Sequence, residues 1–181
     1  IVVVGTNDST VVAFKAENGR MLWSFPCGGA VKASIAFDAK RNLAIWGSHD
    51  GKFYGVDVLS GKEIFSIKTG NTVYSTPLVV DDFLYVASTD KFLYVFDLEK
   101  KEIVRKIRTH GKLYSSPRLI DGLVYFGSND GMVRVLDPKT NELCNTLALP
   151  ERITCGITKS KTENLFYAKT YDDQIFAFSS V

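Results

Sequence analysis

Stretches of five to eight residues rich in Val, Ile, Tyr and Phe follow one another along the whole chain, separated by short polar turns. That is the patterning of β-strands, and no window carries apolar residues at the spacing of an amphipathic helix. Between residues 73 and 109 it predicts four strands, Val73 to Val80, Phe83 to Ser88, Phe92 to Leu98 and Glu102 to Thr109. The connections Asp81-Asp82, Thr89-Asp90-Lys91 and Glu99-Lys100-Lys101 are long enough only for antiparallel hairpins. Apolar residues occupy both pleat faces of this meander, which predicts a sheet packed between two others.

The same pattern recurs. Segments 2–25, 43–67, 84–107, 124–147 and 166–181 align, and their turn aspartates Asp8, Asp50, Asp90, Asp130 and Asp172 are spaced by 42, 40, 40 and 42 residues. A period in this range marks a β-propeller, each repeat being one four-stranded antiparallel blade. The expected fold is therefore all-β, a single propeller segment over residues 1–181 with repeats near 1–29, 30–71, 72–111, 112–151 and 152–181. Three blades are expected complete and the outer two with three strands each. Because Ile1 starts in mid-repeat, the chain is expected to be part of a larger ring of seven or eight blades.

Specific motifs sit on this period. Ser115-Ser116-Pro117, Asp121-Gly122, Val124-Tyr125-Phe126-Gly127-Ser128-Asn129-Asp130-Gly131 and Leu136-Asp137 follow one another in one repeat, and Gly19-Arg20-Met21-Leu22-Trp23 ends another. These motifs resemble the PQQ-like repeat family, in its non-enzymatic branch. Only the first repeat keeps the tryptophan, with Phe65, Val104 and Cys144 expected in its place further on. The resemblance implies three functions: an interaction module, similar to propellers of outer-membrane barrel assembly and of lumenal unfolded-protein sensing; an accessory propeller of an adenylate-forming acyl-activating enzyme; or a piece of a quinone-dependent dehydrogenase. The last carries adjacent cysteines and a calcium-linked aspartate on eight blades, and no two cysteines are adjacent here.

Composition narrows these classes. The 181 residues are 45% hydrophobic and 23% charged with a net charge of +2, the balance of a globular chain with a sizeable core. No run of Lys or Arg supplies the footprint of a nucleic-acid binder, so no nucleic-acid partner is expected. No apolar stretch approaches the roughly 20 residues of a membrane span, so no membrane insertion is expected. Cys27, Cys144 and Cys155 lack metal-ligand spacing and read as small buried hydrophobes, which favours a reducing compartment such as the cytoplasm and leaves a periplasmic or lumenal one open. Asn7-Asp8-Ser9 is a glycosylation triplet coinciding with a repeated turn.

Chemistry is sparse. His49 and His110 lack a His or Cys at ligand spacing and read as surface loop residues, while Asp81-Asp82 and Asp172-Asp173 are turn neighbours rather than a converging acid and base. Ser34, Thr76 and Ser116 recur with the fold and lack a base partner. No catalytic residue, cofactor or metal site is expected, and the chain itself is read as not an enzyme. The turn aspartates are read as hairpin chemistry, and Trp23 as an inter-blade packing residue whose N–H meets a neighbouring carbonyl. Pro77 and Pro117 are placed inside innermost strands. The expected partner is a protein, or another domain of the same parent chain. Its contact surface is expected where the blade-to-blade connections meet the Asp hairpins, at Lys32, Tyr74, Tyr114 and Thr154 with the loop residues His110 and Arg152. The loops Asp38 to Asn42 and Lys159 to Asn164, on the opposite face, are read as ordinary solvated loops.

Overall fold

The computed structural model describes residues 1–179, and among them every regular element is a β-strand. Five antiparallel sheets follow the chain. The first has three strands, β1 (Val2–Gly5), β2 (Thr10–Phe14) and β3 (Met21–Pro26). The second is β4 (Ala36–Asp38), β5 (Leu43–Gly47), β6 (Lys52–Asp57) and β7 (Glu63–Lys68). The third is β8 (Leu78–Val80), β9 (Phe83–Ala87), β10 (Phe92–Asp97) and β11 (Glu102–Arg108). The fourth is β12 (Arg118–Ile120), β13 (Leu123–Gly127), β14 (Met132–Asp137) and β15 (Glu142–Ala148), and the fifth is β16 (Thr158–Lys159), β17 (Phe166–Lys169) and β18 (Ile175–Phe178). Each sheet is a meander, and the innermost strands β4, β8, β12 and β16 lie side by side. This is a propeller arc of five blades.

Four apolar clusters fill the four joins between consecutive blades. Alternation along each central strand sends one pleat face to each neighbour. In β5, Ala44 and Trp46 pack with Trp23 and Val11 of the first blade, while Leu43 and Ile45 pack with Leu84, Val86 and Phe96 of the third. The third blade meets the fourth through Tyr85, Leu93, Val124 and Phe126, and the fourth meets the fifth through Tyr125, Val135, Phe166 and Ala168. Burial on both faces is why the sequence of these strands reads as nearly unbroken apolar runs.

The innermost strands are shorter than the pattern predicts. Residues 73–77 lie outside the ladder, with a bend at Ser75: its hydroxyl donates to the Ala87 carbonyl at 2.8 Å and accepts the Ala87 N–H at 3.2 Å. A side chain thus replaces the backbone pairing, and Pro77, which has no N–H, sits just ahead of β8. Pro117 likewise precedes β12. Ser34, Thr76 and Ser116 link adjacent innermost segments, Ser34 N–H donating to Thr76 Oγ1 at 3.2 Å and Thr76 N–H to Ser116 Oγ at 2.9 Å.

The last strand of each of the first four blades carries a register shift at the same place, with Leu22, Ile64, Val104 or Cys144 as the extra residue and the tryptophan position directly after it. Trp23 pairs with Ala13 and Phe65 with Gly55, but the residues in that register further on are Arg105, opposite Val95, and Asn145, opposite Val135. Val104 and Cys144 are the extra residues of β-bulges, and both are exposed. The join chemistry changes accordingly. The Trp23 indole donates to the Val58 carbonyl at 2.9 Å, Phe65 packs tilted against Phe96 with ring centroids 4.8 Å apart, and Arg105 reaches Glu142 of the next blade at 3.3 Å. Gly61, at φ +70°, lies flat against the Trp23 indole, where an added Cβ would come within 2.7 Å. The cysteines also depart from expectation: Cys27 is half-buried, whereas Cys144 is exposed on the solvent-facing outermost strand β15 and Cys155 is exposed in the segment that leads into β16.

The loop Asp38 to Asn42 is an inter-blade tie rather than a solvated loop. Arg41 is 13% exposed and binds Asp38 at 2.8 Å within its own blade and Asp82 and Glu99 (2.6 Å) of the next. Lys40, 66% exposed, adds a bond to Asp82 at 2.7 Å. In the other basic loop, Lys159 pairs with Asp121 of the preceding blade. Replacing Arg41 by Met, which keeps the aliphatic stem, is expected to cost about 1.5–3 kcal/mol, the worth of hydrogen bonds to a charged group. Lys40→Ala is expected to cost under about 1 kcal/mol. Urea denaturation of the two variants side by side checks the contrast.

Candidate functional site

The expected contact surface is built by a repeated anchor. Each connection enters its innermost segment through one buried apolar residue, Val31, Val73, Leu113 or Ile153, seated against the end of the preceding blade's second strand. Small residues there make the space: a Cβ on Gly5, Gly47 or Gly127 would come within 2.5, 2.2 or 2.4 Å of Val31, Val73 or Ile153 respectively. The anchor N–H groups donate back across the join, Val73 to Ser48 O at 3.0 Å and Ile153 to Ser128 O at 3.1 Å. With one residue pinned inward, its successor lies on the opposite side. Those successors are Lys32, Tyr74, Tyr114 and Thr154.

A second column interleaves with the first. His49, Thr89, Asn129 and Tyr171 each precede a turn aspartate and donate their N–H to a connection carbonyl, His49 to Ala30 and Asn129 to Lys112 at 2.9 Å each, Tyr171 to Arg152 at 2.9 Å. This column is not among the residues expected from the sequence; its mark there is a varying residue inside an otherwise repeated Ser/Thr-x-Asp motif. Together the columns form an aromatic strip. His49 lies 4.3 Å from Tyr74, Tyr74 lies 5.4 Å from Tyr114, and the Arg152 guanidinium stacks over Tyr171 at 4.4 Å. Tyr114, Asn129, Arg152, Thr154 and Tyr171 line an open cleft of about 410 Å³.

His49 is therefore half-buried rather than a free turn residue. Burial and then the nearby Lys32 charge lower its pKa, so the ring is neutral at pH 7. His49 Nε2 and Asn129 Oδ1 are buried without a hydrogen-bond partner among the described residues. His110 stands apart: its backbone N–H is used in the join, but its exposed side chain makes none of the strip's contacts. Lys32 is exposed at the first-blade end of the strip.

The turn aspartates tie the connections down. Asp50 accepts the Gly28 N–H at 2.8 Å, Asp90 the Gly70 N–H at 2.6 Å and Asp130 the His110 N–H at 2.9 Å, each reaching from one blade to the loop that enters it. A residue four positions on, reached from the adjacent strand, completes each tie: Tyr54 to Asp50 at 2.5 Å, Tyr94 to Asp90 at 2.6 Å, and the Arg134 guanidinium to Asp130 at 2.7 Å. Burial, followed by the carboxylate alongside, raises the Tyr54 and Tyr94 hydroxyls above the ordinary tyrosine range. Burial pushes the Asp130 carboxyl up, but Arg134, Ser128 and the His110 and Met132 N–H groups outweigh it and hold it well below the usual carboxylate range. Asp172 serves its own turn, accepting from Thr170 at 2.5 Å, and Asp8 is exposed. Gly51 and Gly131, both at φ +78°, supply the left-handed residue the turn needs after the aspartate.

The cysteines do not assemble a redox or cofactor site. Cys27 accepts the Trp46 indole N–H at 3.4 Å, and burial pushes its thiol up to about 11, so it stays protonated at neutral pH. Cys27, Cys144 and Cys155 lie at three separate places along the arc, so the paired thiols of the quinone-dependent enzymes are not formed among them.

The fold and the joins define a PQQ-like β-propeller. The family model described as outer membrane protein assembly factor BamB, of this repeat type, matches residues 7–179, and the chain belongs to that family. Among solved structures it is similar to BamB from Moraxella catarrhalis, with a TM-score of 0.83 at 19% identity over 98% of this chain and 54% of that one. It is equally similar in fold to the computationally designed Ika8 protein, with a TM-score of 0.83 at 20% identity over 99% of this chain and 55% of the other. The chain thus spans about half the length of these structures. It is also 29% identical over 103 residues to the beta-alanine-activating enzyme of Danio rerio, covering 54% of this chain and 9% of that enzyme.

The depressed Asp130 carboxyl sets a pH dependence. Its native pKa lies below the unfolded value near 3.9, so its stabilisation is fully present above about pH 4 and is lost as pH falls through the native value. In urea denaturation, the stability difference between the protein and Asp130→Asn is expected to be full at pH 7 and smaller at pH 3. An unchanged gap would contradict the tie.

Proposed function

We propose that the protein is a non-catalytic propeller scaffold whose strip-bearing face binds a protein partner. The observation that carries this reading is the strip itself: Tyr74, 38% exposed, and Tyr114 held in contact by pinned innermost segments, with Tyr171, 63% exposed under Arg152, sharing an open cleft with Tyr114. Exposed aromatic rings on a rigid support supply contact area at little cost in side-chain freedom, the character of interface hot spots. The family description names an assembly factor, and a chain of the mitotic checkpoint complex shares the fold with a TM-score of 0.83 at 15% identity, over 99% of this chain and 57% of that one. Both associations favour a partner protein.

A second reading is favoured by the beta-alanine-activating enzyme match, a short stretch of a much longer protein. There the propeller is an accessory domain, and the strip meets another part of the same polypeptide.

Photo-crosslinkers placed at Tyr114 on the strip and at Lys161 on the opposite face of the full-length chain test both readings. The scaffold reading predicts an adduct with a separate protein from position 114 and none from 161. An adduct within the same polypeptide selects the accessory-domain reading, and equal adducts from the two positions, or none from 114, would overturn the assignment of this face.

A further inference from the structure

Three properties of the strip face narrow the chemistry of what it binds. The first is its backbone, which the joins have spent: the Gly28, Gly70 and His110 N–H groups go to the turn aspartates, and the Ala30, Thr72, Lys112 and Arg152 carbonyls accept from His49, Thr89, Asn129 and Tyr171. A strand added at these connections would find their pairing groups taken. The second is charge, present in both signs. Lys32, Lys112 and Arg152 stand beside the strip, but Asp8, Glu151, Asp172 and Asp173 share the face, Glu151 at 3.9 Å from Arg152 and Asp173 at 2.6 Å from Lys169. Neither an acidic nor a basic segment is favoured. The third is a set of open hydroxyls. Among the described residues the tyrosine hydroxyls that make hydrogen bonds are those of the buried Tyr54, Tyr85 and Tyr94, to Asp50, Asn141 and Asp90. Tyr74, Tyr114 and Tyr171 keep theirs unbonded, at the edges of rings that solvent reaches.

We infer that the strip takes an uncharged, proline-rich segment of a partner protein in the polyproline II conformation, one proline lying on the Tyr74 and Tyr114 rings and the next on the same side entering the cleft between Tyr114 and Tyr171. This rests on the reading that the face is a protein-binding one. Proline has no backbone N–H and so asks nothing of a spent backbone. Its ring packs against an aromatic face, and its carbonyl accepts from a hydroxyl at that ring's edge, the recognition that aromatic-lined grooves give such segments. Prolines three apart fall on one side of the helix, about 9 Å from each other, so one segment reaches both places. The helix is formed before it binds, which keeps the cost in lost freedom low. The cleft of about 410 Å³, walled by two tyrosines and Thr154, has room for a proline ring. A single nucleic-acid strand would also stack on the rings, but its phosphates would meet the carboxylates of this face as well as the cations.

The test uses the full-length chain and fluorescein-labelled synthetic peptides, read by anisotropy. The probe is a neutral Pro/Ala peptide with prolines at every third position; a Gly/Ser peptide and a strand-forming Val/Thr peptide of the same length are its controls, and oligo-dT is a competitor. The proline peptide is expected to bind about tenfold or more tightly than either control, with little change between low and high salt. Tyr114→Ala is expected to weaken it about tenfold and Tyr114→Phe, which keeps the ring and removes only the hydroxyl, about threefold. Lys161→Ala, on the opposite face, is expected to leave it unchanged. No binding of the proline peptide, equal or better binding of the Gly/Ser or Val/Thr peptide, preference for oligo-dT, or full binding by Tyr114→Ala would overturn the inference. Crosslinking from position 114 separates the two levels. A partner adduct that excess proline peptide does not displace sinks the proline chemistry while the face remains an interface, whereas absence of any adduct removes the face itself.

Discussion

Each blade is a sheet buried on both sides, and the surface that buries it belongs to its neighbours. A single four-stranded meander with Leu43, Ile45, Ala44 and Trp46 on one strand would present apolar side chains to water on both faces. Stacking removes that exposure, at roughly 25 cal/mol for each Å² of apolar surface. The join between blades is thus the unit of stability, and its polar edges decide how the blades are held in register. At the inner edge the Ser34, Thr76 and Ser116 bonds connect innermost segments; at the loop face the turn aspartates hold the incoming connections; on the opposite face Arg41 bridges two blades.

The strip follows from this construction. Pinning Val73 and Leu113 into the joins, with small residues beneath them, fixes the direction of Tyr74 and Tyr114. The turn carboxylates of Asp50, Asp90 and Asp130 are consumed inside the joins, where they hold the connections rather than face solvent. The same interactions that close the blades together therefore shape the face on which the partner is proposed to sit. Variation then falls where the joins use the backbone N–H and not a fixed side chain, as in the succession His49, Thr89, Asn129 and Tyr171 ahead of the turn aspartates.

The repeat period and the strand type were legible in the sequence because period-2 patterning and turn chemistry are local properties. The tryptophan column was not: it runs through Trp23, Phe65, Arg105 and Asn145, each just after the extra residue of a bulge, and in the third and fourth blades the apolar Val104 and Cys144 beside it mask the polar residues that occupy it. The length of the innermost strands was hidden for a different reason. Residues 73–77 continue the strand pattern from Val73 and Tyr74, but the chain bends at Ser75, whose side chain supplies the pairing that the backbone does not. Lys32, Tyr74, Tyr114 and Thr154 could be placed by counting along the repeat, whereas the inclusion of His49 and Tyr171, and the burial of Arg41, depend on contacts between blades that only the folded chain brings together.

Amide exchange at the blade joins tests most directly the claim that each turn aspartate of the inner blades holds the connection entering its blade. By NMR, the Gly28, Gly70 and His110 amides are predicted to exchange slowly in the unaltered protein. In Asp90→Ala the Gly70 amide is predicted to become fast while Gly28 and His110 stay slow. Fast exchange at Gly70 in the unaltered protein, or no change on removing Asp90, would contradict the account.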